Sequence, residues 1–124
     1  VAAIVQSYKD LLVWQQAMDL AASTYQFTRG WPREELYGLT SQVRRAATSV
    51  AANIAEGWGR QSRGAFQQFL KIAQGSLKEV ETHLLIAERI GLTSSGSIRP
   101  LLDLAESIGK LLHRLITKLT EKAP

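Results

Sequence analysis

The sequence predicts an all-α protein, an antiparallel up-down-up-down four-helix bundle, and three observations carry that expectation. Four long segments repeat apolar residues at steps of three and four, the spacing that lines up side chains on one face of a helix. Short turns rich in Gly, Ser and Pro separate them. No segment alternates apolar and polar residues with the period of two that marks a strand. The helices are expected at about 8–29, 33–58, 63–90 and 97–121, behind an N-terminal tail at 1–7. A chain of 124 residues fits one domain with one core.

Each element has its own start and stop signals. Ser7 and Asp10 read as a capping box that opens the first helix. Its apolar set is Leu11, Trp14, Met18, Ala21 and Tyr25, flanked by Val13, Ala17, Leu20 and Phe27, and Gly30 is its expected left-handed stop. Pro32 opens the second helix where its missing N–H costs nothing, with Glu34 and Glu35 in the first turn, where the helix dipole favours anions. Gly57, Gly59 and Gly64 mark the next turn, and Ser62 caps the third helix. That helix carries Phe66, Leu70, Ala73, Leu77, Val80, Leu84 and Ala87 in unbroken bundle spacing and stops at Gly91. Pro100 is tolerable only in the first turn of the fourth helix, whose seam is Ile98, Leu101, Ala105, Ile108, Leu112, Leu115 and Leu119.

The second helix is the odd one chemically. Leu36, Leu39, Val43, Ala46, Val50, Asn53 and Gly57 share a face, so an amide and a glycine sit at core positions. Arg45, Ser49, Asn53, Glu56 and Arg60 form a polar edge beside that seam, and Thr48, Ala51, Ala52, Ala55 and Gly59 leave a nearly bare back. A buried Asn fixes register at some cost in stability. Ser49, Asn53, Glu56 and Gly57 are therefore read as a structural motif.

Composition narrows the function. The absence of cysteine removes disulfides, thiolate metal sites and cysteine nucleophiles. No run of apolar residues is long enough to span a membrane, and V-A-A-I-V is too short for a signal segment, so a cytoplasmic location is expected. The net charge is +4, and between Arg29 and Lys78 eight basic residues face three acidic ones, which suits a polyanion partner. His83 and His113 lack the Glu-x-x-His pairs of a di-metal bundle; Glu79 and His83 read as a surface pair four residues apart. Ser49 has no histidine in helical reach, and the glycines from Gly57 to Gly64 do not match a phosphate loop. No enzyme activity, cofactor or metal is expected. The candidates for nucleic-acid contact are Arg44, Arg45, Arg60, Arg63, Lys71, Lys110, Arg114 and Lys118, the last three stepping by four toward Lys122. Trp31 and Trp58 flank turns, where capping the bundle ends competes with stacking a base.

Four runs carry a family resemblance: Y-K-D-L-L-V-W-Q-Q-A from Tyr8, W-P-R-E-E-L-Y-G-L-T from Trp31, Q-V-R-R-A-A-T-S-V-A-A-N-I-A-E-G-W-G-R from Gln42, and F-L-K-I-A-Q-G-S-L-K-E-V-E-T from Phe69. The chain resembles the four-helix 23S rRNA intervening-sequence proteins from Tyr8 to about Leu119, with Val50-Ala51 where that family commonly has Ile-Pro. The resemblance implies a homopentamer with no enzyme activity. It also implies kinship with retroelement accessory proteins that bind RNA and a reverse transcriptase through a basic surface. Arg44, Arg45, Ser49, Asn53, Glu56 and Gly57 are the motif positions carried over.

Overall fold

The computed structural model describes residues 5–121. Four helices, α1 (Leu12–Thr28), α2 (Leu39–Gly59), α3 (Arg63–Arg89) and α4 (Ser95–Glu121), form a bundle with no strand among the described residues. Each helix packs on two neighbours, α1 on α2 and α4, and α3 on α2 and α4, so they follow one another around a single core. Adjacent helices are antiparallel. Gly57 near the end of α2 meets Phe66 and Phe69 near the start of α3, whereas Ser49, two turns earlier, meets Ser76. In the same way Gln67 bonds Thr120 while Leu77 faces Gly109 across α3 and α4.

The core is built from the predicted seams of α3 and α4. Phe66, Leu70, Ala73, Leu77, Val80, Leu84 and Ala87 are all buried, as are Ile98, Leu101, Ala105, Ile108 and Leu112, with Leu115 and Leu119 packed at the margin. Ser62 Oγ accepts from the Ala65 N–H at the start of α3, and Gly91 takes φ 79° at its end. Both follow the capping logic of the sequence.

Three boundaries differ from expectation. Ser7 and Asp10 do form a capping box, but it closes a 3-10 turn at Tyr8–Asp10; Leu11 is extended, and α1 begins at Leu12. Pro32 likewise opens only a 3-10 turn at Arg33–Glu35, and α2 starts after the break at Gly38. There Glu35 acts from outside the helix, its Oε1 accepting the Leu39 N–H at 3.2 Å. Leu36, outside α2, is exposed rather than part of the seam. α4 begins two residues early at Ser95, so Pro100 lies in its second turn, where the Gly96 carbonyl loses its helical donor at an exposed position. Residues 1–4 of the expected tail and Lys122 lie outside the described residues.

The face of α1 is also shifted. Val13, Ala17, Leu20, Thr24 and Thr28 are buried, whereas Met18 is 45% and Tyr25 44% exposed. Two threonines complete the true seam. Thr28 Oγ1 donates back to the Thr24 carbonyl at 2.8 Å, which lets a hydroxyl enter the core satisfied. Gly30 has no positive φ, and α1 ends through Arg29 in right-handed geometry. On α2, Ala47, Ala51 and Ile54 are buried too, so Ala51 belongs to the core and not to the bare back.

The glycines near the α2–α3 turn do different work from that expected. Gly57 and Gly59 lie within α2 and Gly64 within α3, while the reversal itself is made by Gln61 at φ 58°. A non-glycine residue in left-handed geometry costs about 1 kcal/mol or more. Gly57 is required for a separate reason: a Cβ there would stand 2.6 Å from Phe69 Cβ. The absent side chain lets α2 and α3 approach closely.

Candidate nucleic-acid interface

The sequence candidates separate into groups once the helices are in place. Arg44 joins α1 to α2: its Nε donates to the buried Thr28 Oγ1 at 2.8 Å and its guanidinium lies 4.8 Å from the Tyr25 ring centre. It is half-buried, and both interactions are internal. Arg60 pairs with Glu56 at 2.8 Å and stacks on Phe69 at 5.2 Å. Arg45 stands apart from both, exposed beside a pocket that Gln42, Ser49, Glu79 and His83 line with it.

The structural motif also divides. Asn53 Nδ2 donates to the Ser49 carbonyl and to Ser49 Oγ, at 2.8 and 2.9 Å, and Ser49 Oγ is 2.8 Å from Ser76 Oγ on α3. These three residues form the internal polar network. Glu56 is not part of it; its carboxylate is half exposed and paired with Arg60. The expected Glu79–His83 pair does not form, and His83 Nδ1 is buried without a hydrogen-bond partner.

The remaining candidates converge. Residues 63–78 of α3 and 107–120 of α4 run side by side, as the Gln67–Thr120 and Leu77–Gly109 contacts establish. The two stretches carry Arg63, Lys71, Lys78, Lys110, Arg114 and Lys118 and no carboxylate at all. A groove of about 1020 Å³ follows this helix pair, with Lys71, Lys110 and Arg114 on its walls and Gly75 and Gly109 leaving its floor low. Beyond the middle of the bundle its charge is balanced: Lys78 pairs with Glu81 at 3.0 Å and Arg99 approaches Asp103 at 3.8 Å. Among the described residues, Lys71, Lys110 and Arg114 form no ion pair. Lys118 lies on α4 outside the groove, toward the same end.

Lys78, Arg99 and His113 also line this groove, although none of them is among the sequence candidates for nucleic-acid contact. Lys71, Lys78 and Leu85 step by seven on α3, and Arg99, Glu106 and His113 step by seven on α4. That common spacing is the one signal that places them on facing stripes. Among the described residues there is no group of three or more side chains that could hold a metal, and no helix is long and apolar enough to cross a membrane.

Similarity to known proteins agrees with this architecture. No curated protein matches the chain. A solved structure of a protein of unknown function from the S23 ribosomal protein family of Bacteroides thetaiotaomicron superposes with a TM-score of 0.76 at 26% identity. That match covers 85% of this chain and 98% of the other. The family model for 23S rRNA-intervening sequence proteins matches residues 9–114, which include all four helices in whole or large part, the Ser49–Asn53 network and Gly57. The chain therefore belongs to the 23S rRNA-intervening sequence protein family.

Proposed function

We propose that this bundle is a non-enzymatic, self-associating protein that binds nucleic acid, structured RNA, along the carboxylate-free strip of α3 and α4. The observation that carries the reading is the side-by-side placement of residues 63–78 and 107–120, two stretches that carry six cations and no carboxylate of their own, among them Lys71, Lys110 and Arg114, which form no ion pair among the described residues. Phosphates bind such a strip by displacing condensed counterions, so affinity is sequence-tolerant and steeply salt-dependent. The family name, which refers to an RNA, supports the choice of RNA over DNA. A cytoplasmic location goes with this role.

Assembly would multiply a modest charge. A homopentamer, which the family resemblance implies, would carry about +20 from five copies of a +4 chain. Light scattering tests the assembly: a pentamer mass is expected, and a monomer mass removes it. Filter binding of a structured RNA across salt concentrations tests the function. Binding that weakens steeply as salt rises is expected; no binding at low salt, or binding indifferent to salt, refutes it.

A second reading has its own observation. Met18 and Tyr25 leave apolar side chains of α1 exposed, and the small residues Thr48 and Ala52 of α2 are exposed as well. Under that reading the bundle is a scaffold for another protein, a reverse transcriptase being one such partner, and the basic strip is incidental. Nuclease treatment separates the two, because a scaffold complex survives it and an RNA-bridged one does not.

A further inference from the structure

A second, smaller cavity, open to the surface, lies at the α2–α3 turn, at the same end of the bundle as Lys71, Arg114 and Lys118. Gln6, Trp58, Gln61, Ser62, Arg63 and Phe66 line it, with a volume of about 350 Å³. Its apolar wall is Trp58 and Phe66, edge to face with ring centres 5.9 Å apart. Two amides, those of Gln6 and Gln61, supply its hydrogen-bonding groups, while Ser62 Oγ is already engaged in capping α3.

Gln61 is the informative residue. It holds φ 58° at a turn flanked by Gly59 and Gly64, in a conformation glycine adopts without strain. A turn alone gives no reason for a glutamine there. What glutamine adds is an amide, a donor and an acceptor side by side, which matches the edge of a nucleobase. An aromatic wall, amides for the base edge and cations for the flanking phosphates are the three parts of a single-strand binding pocket.

We infer that the Trp58–Gln61 cavity receives one unpaired nucleobase, stacked against Trp58 and hydrogen-bonded by Gln61, while the α3–α4 strip holds the backbone phosphates. This inference rests on the nucleic-acid reading and adds to it a preference for looped or single-stranded RNA over a continuous duplex. Base–aromatic stacking sets the expected size of the effect, about a ten- to hundredfold loss of single-strand affinity when the indole is removed.

The test uses the full chain, a short single-stranded RNA containing 2-aminopurine, and the same strand annealed to its complement. The parent protein is expected to bind the single strand more tightly and to change the 2-aminopurine fluorescence. Trp58→Leu, which keeps an apolar side chain at the bundle end, should lose about ten- to hundredfold in single-strand affinity. Gln61→Gly removes the strain and the amide together, so its melting temperature should be no lower than the parent's while its single-strand affinity falls. Failure of the parent to bind either RNA overturns the nucleic-acid reading itself. Equal or tighter binding to the duplex, or variants that bind the single strand as the parent does, overturns the base pocket alone.

Discussion

Gly57→Ala is the sharpest test of how α2 and α3 meet. The added Cβ would lie 2.6 Å from Phe69 Cβ and 3.1 Å from Phe66 Cδ1. Unstrained carbon contacts sit near 3.5–4.0 Å, about 1 Å further out than the Phe69 contact allows. Phe69 Cβ is fixed to its backbone and cannot rotate away, so the helices themselves must separate. Overpacking of this kind costs about 1–3 kcal/mol, and the absence of a yielding side chain points to the upper end. Alanine returns about 1 kcal/mol through helix propensity, leaving a net loss of about 2 kcal/mol. Gly75→Ala is the control, because a Cβ there meets nothing within 4 Å, in the exposed interior of α3. It should stabilise by about 1 kcal/mol. Urea unfolding of both variants at one protein concentration reads the difference, about 3 kcal/mol between them. If Gly57→Ala stabilises as Gly75→Ala does, the close approach of the two helices is wrong.

Three further outcomes are expected. Arg44→Gln should destabilise by about 1–2 kcal/mol through loss of the Thr28 bond and the Tyr25 stack, and leave RNA affinity unchanged in filter binding. Asn53→Ala should cost about 1–2 kcal/mol in urea unfolding, because Ser49 and Ser76 then share a half-buried network with one donor fewer. The triple variant Lys71→Gln, Lys110→Gln, Arg114→Gln breaks no ion pair among the described residues and should unfold as the parent does. Its salt dependence of RNA binding should flatten by about 2–3 in the logarithmic slope.

The helices of the second half were legible in the sequence because their seams are purely aliphatic and their caps are local. Ser62 and Gly91 act within one turn of their own helix ends, so no knowledge of the other helices is needed. The seam of α1 was not legible in the same way. Thr24 and Thr28 read as polar, and the more apolar neighbouring stripe through Trp14, Met18 and Tyr25 outscored the true one. The Thr28–Thr24 back-bond and the reach of Arg44 from α2 explain why Thr28 faces the core, whereas the Thr24 hydroxyl is buried without a hydrogen-bond partner. Leu36 was placed on the α2 seam because the 3-10 turn after Pro32 keeps a helix-like sequence while leaving the helix axis.

The candidate interface was half legible. Its cations were visible as residues, but which of them act together depends on the register between α3 and α4. The Gln67–Thr120 contact fixes that register and no single-helix pattern does. Arg44 illustrates the converse: it belongs to the family motif, yet its charge is used inside the bundle. Gln61 carried no signal at all, since its meaning lies in a backbone angle that the glycines around it were expected to supply.

Ultraviolet crosslinking of bound RNA, followed by peptide mapping, locates the contact most directly. Crosslinks are expected on peptides from Trp58 to Lys78 and from Lys110 to Lys118, where the carboxylate-free strip and the turn lie together. Crosslinks confined to the opposite end, around Arg29 to Glu35 and Arg89 to Arg99, or none above background at low salt, would contradict the assignment.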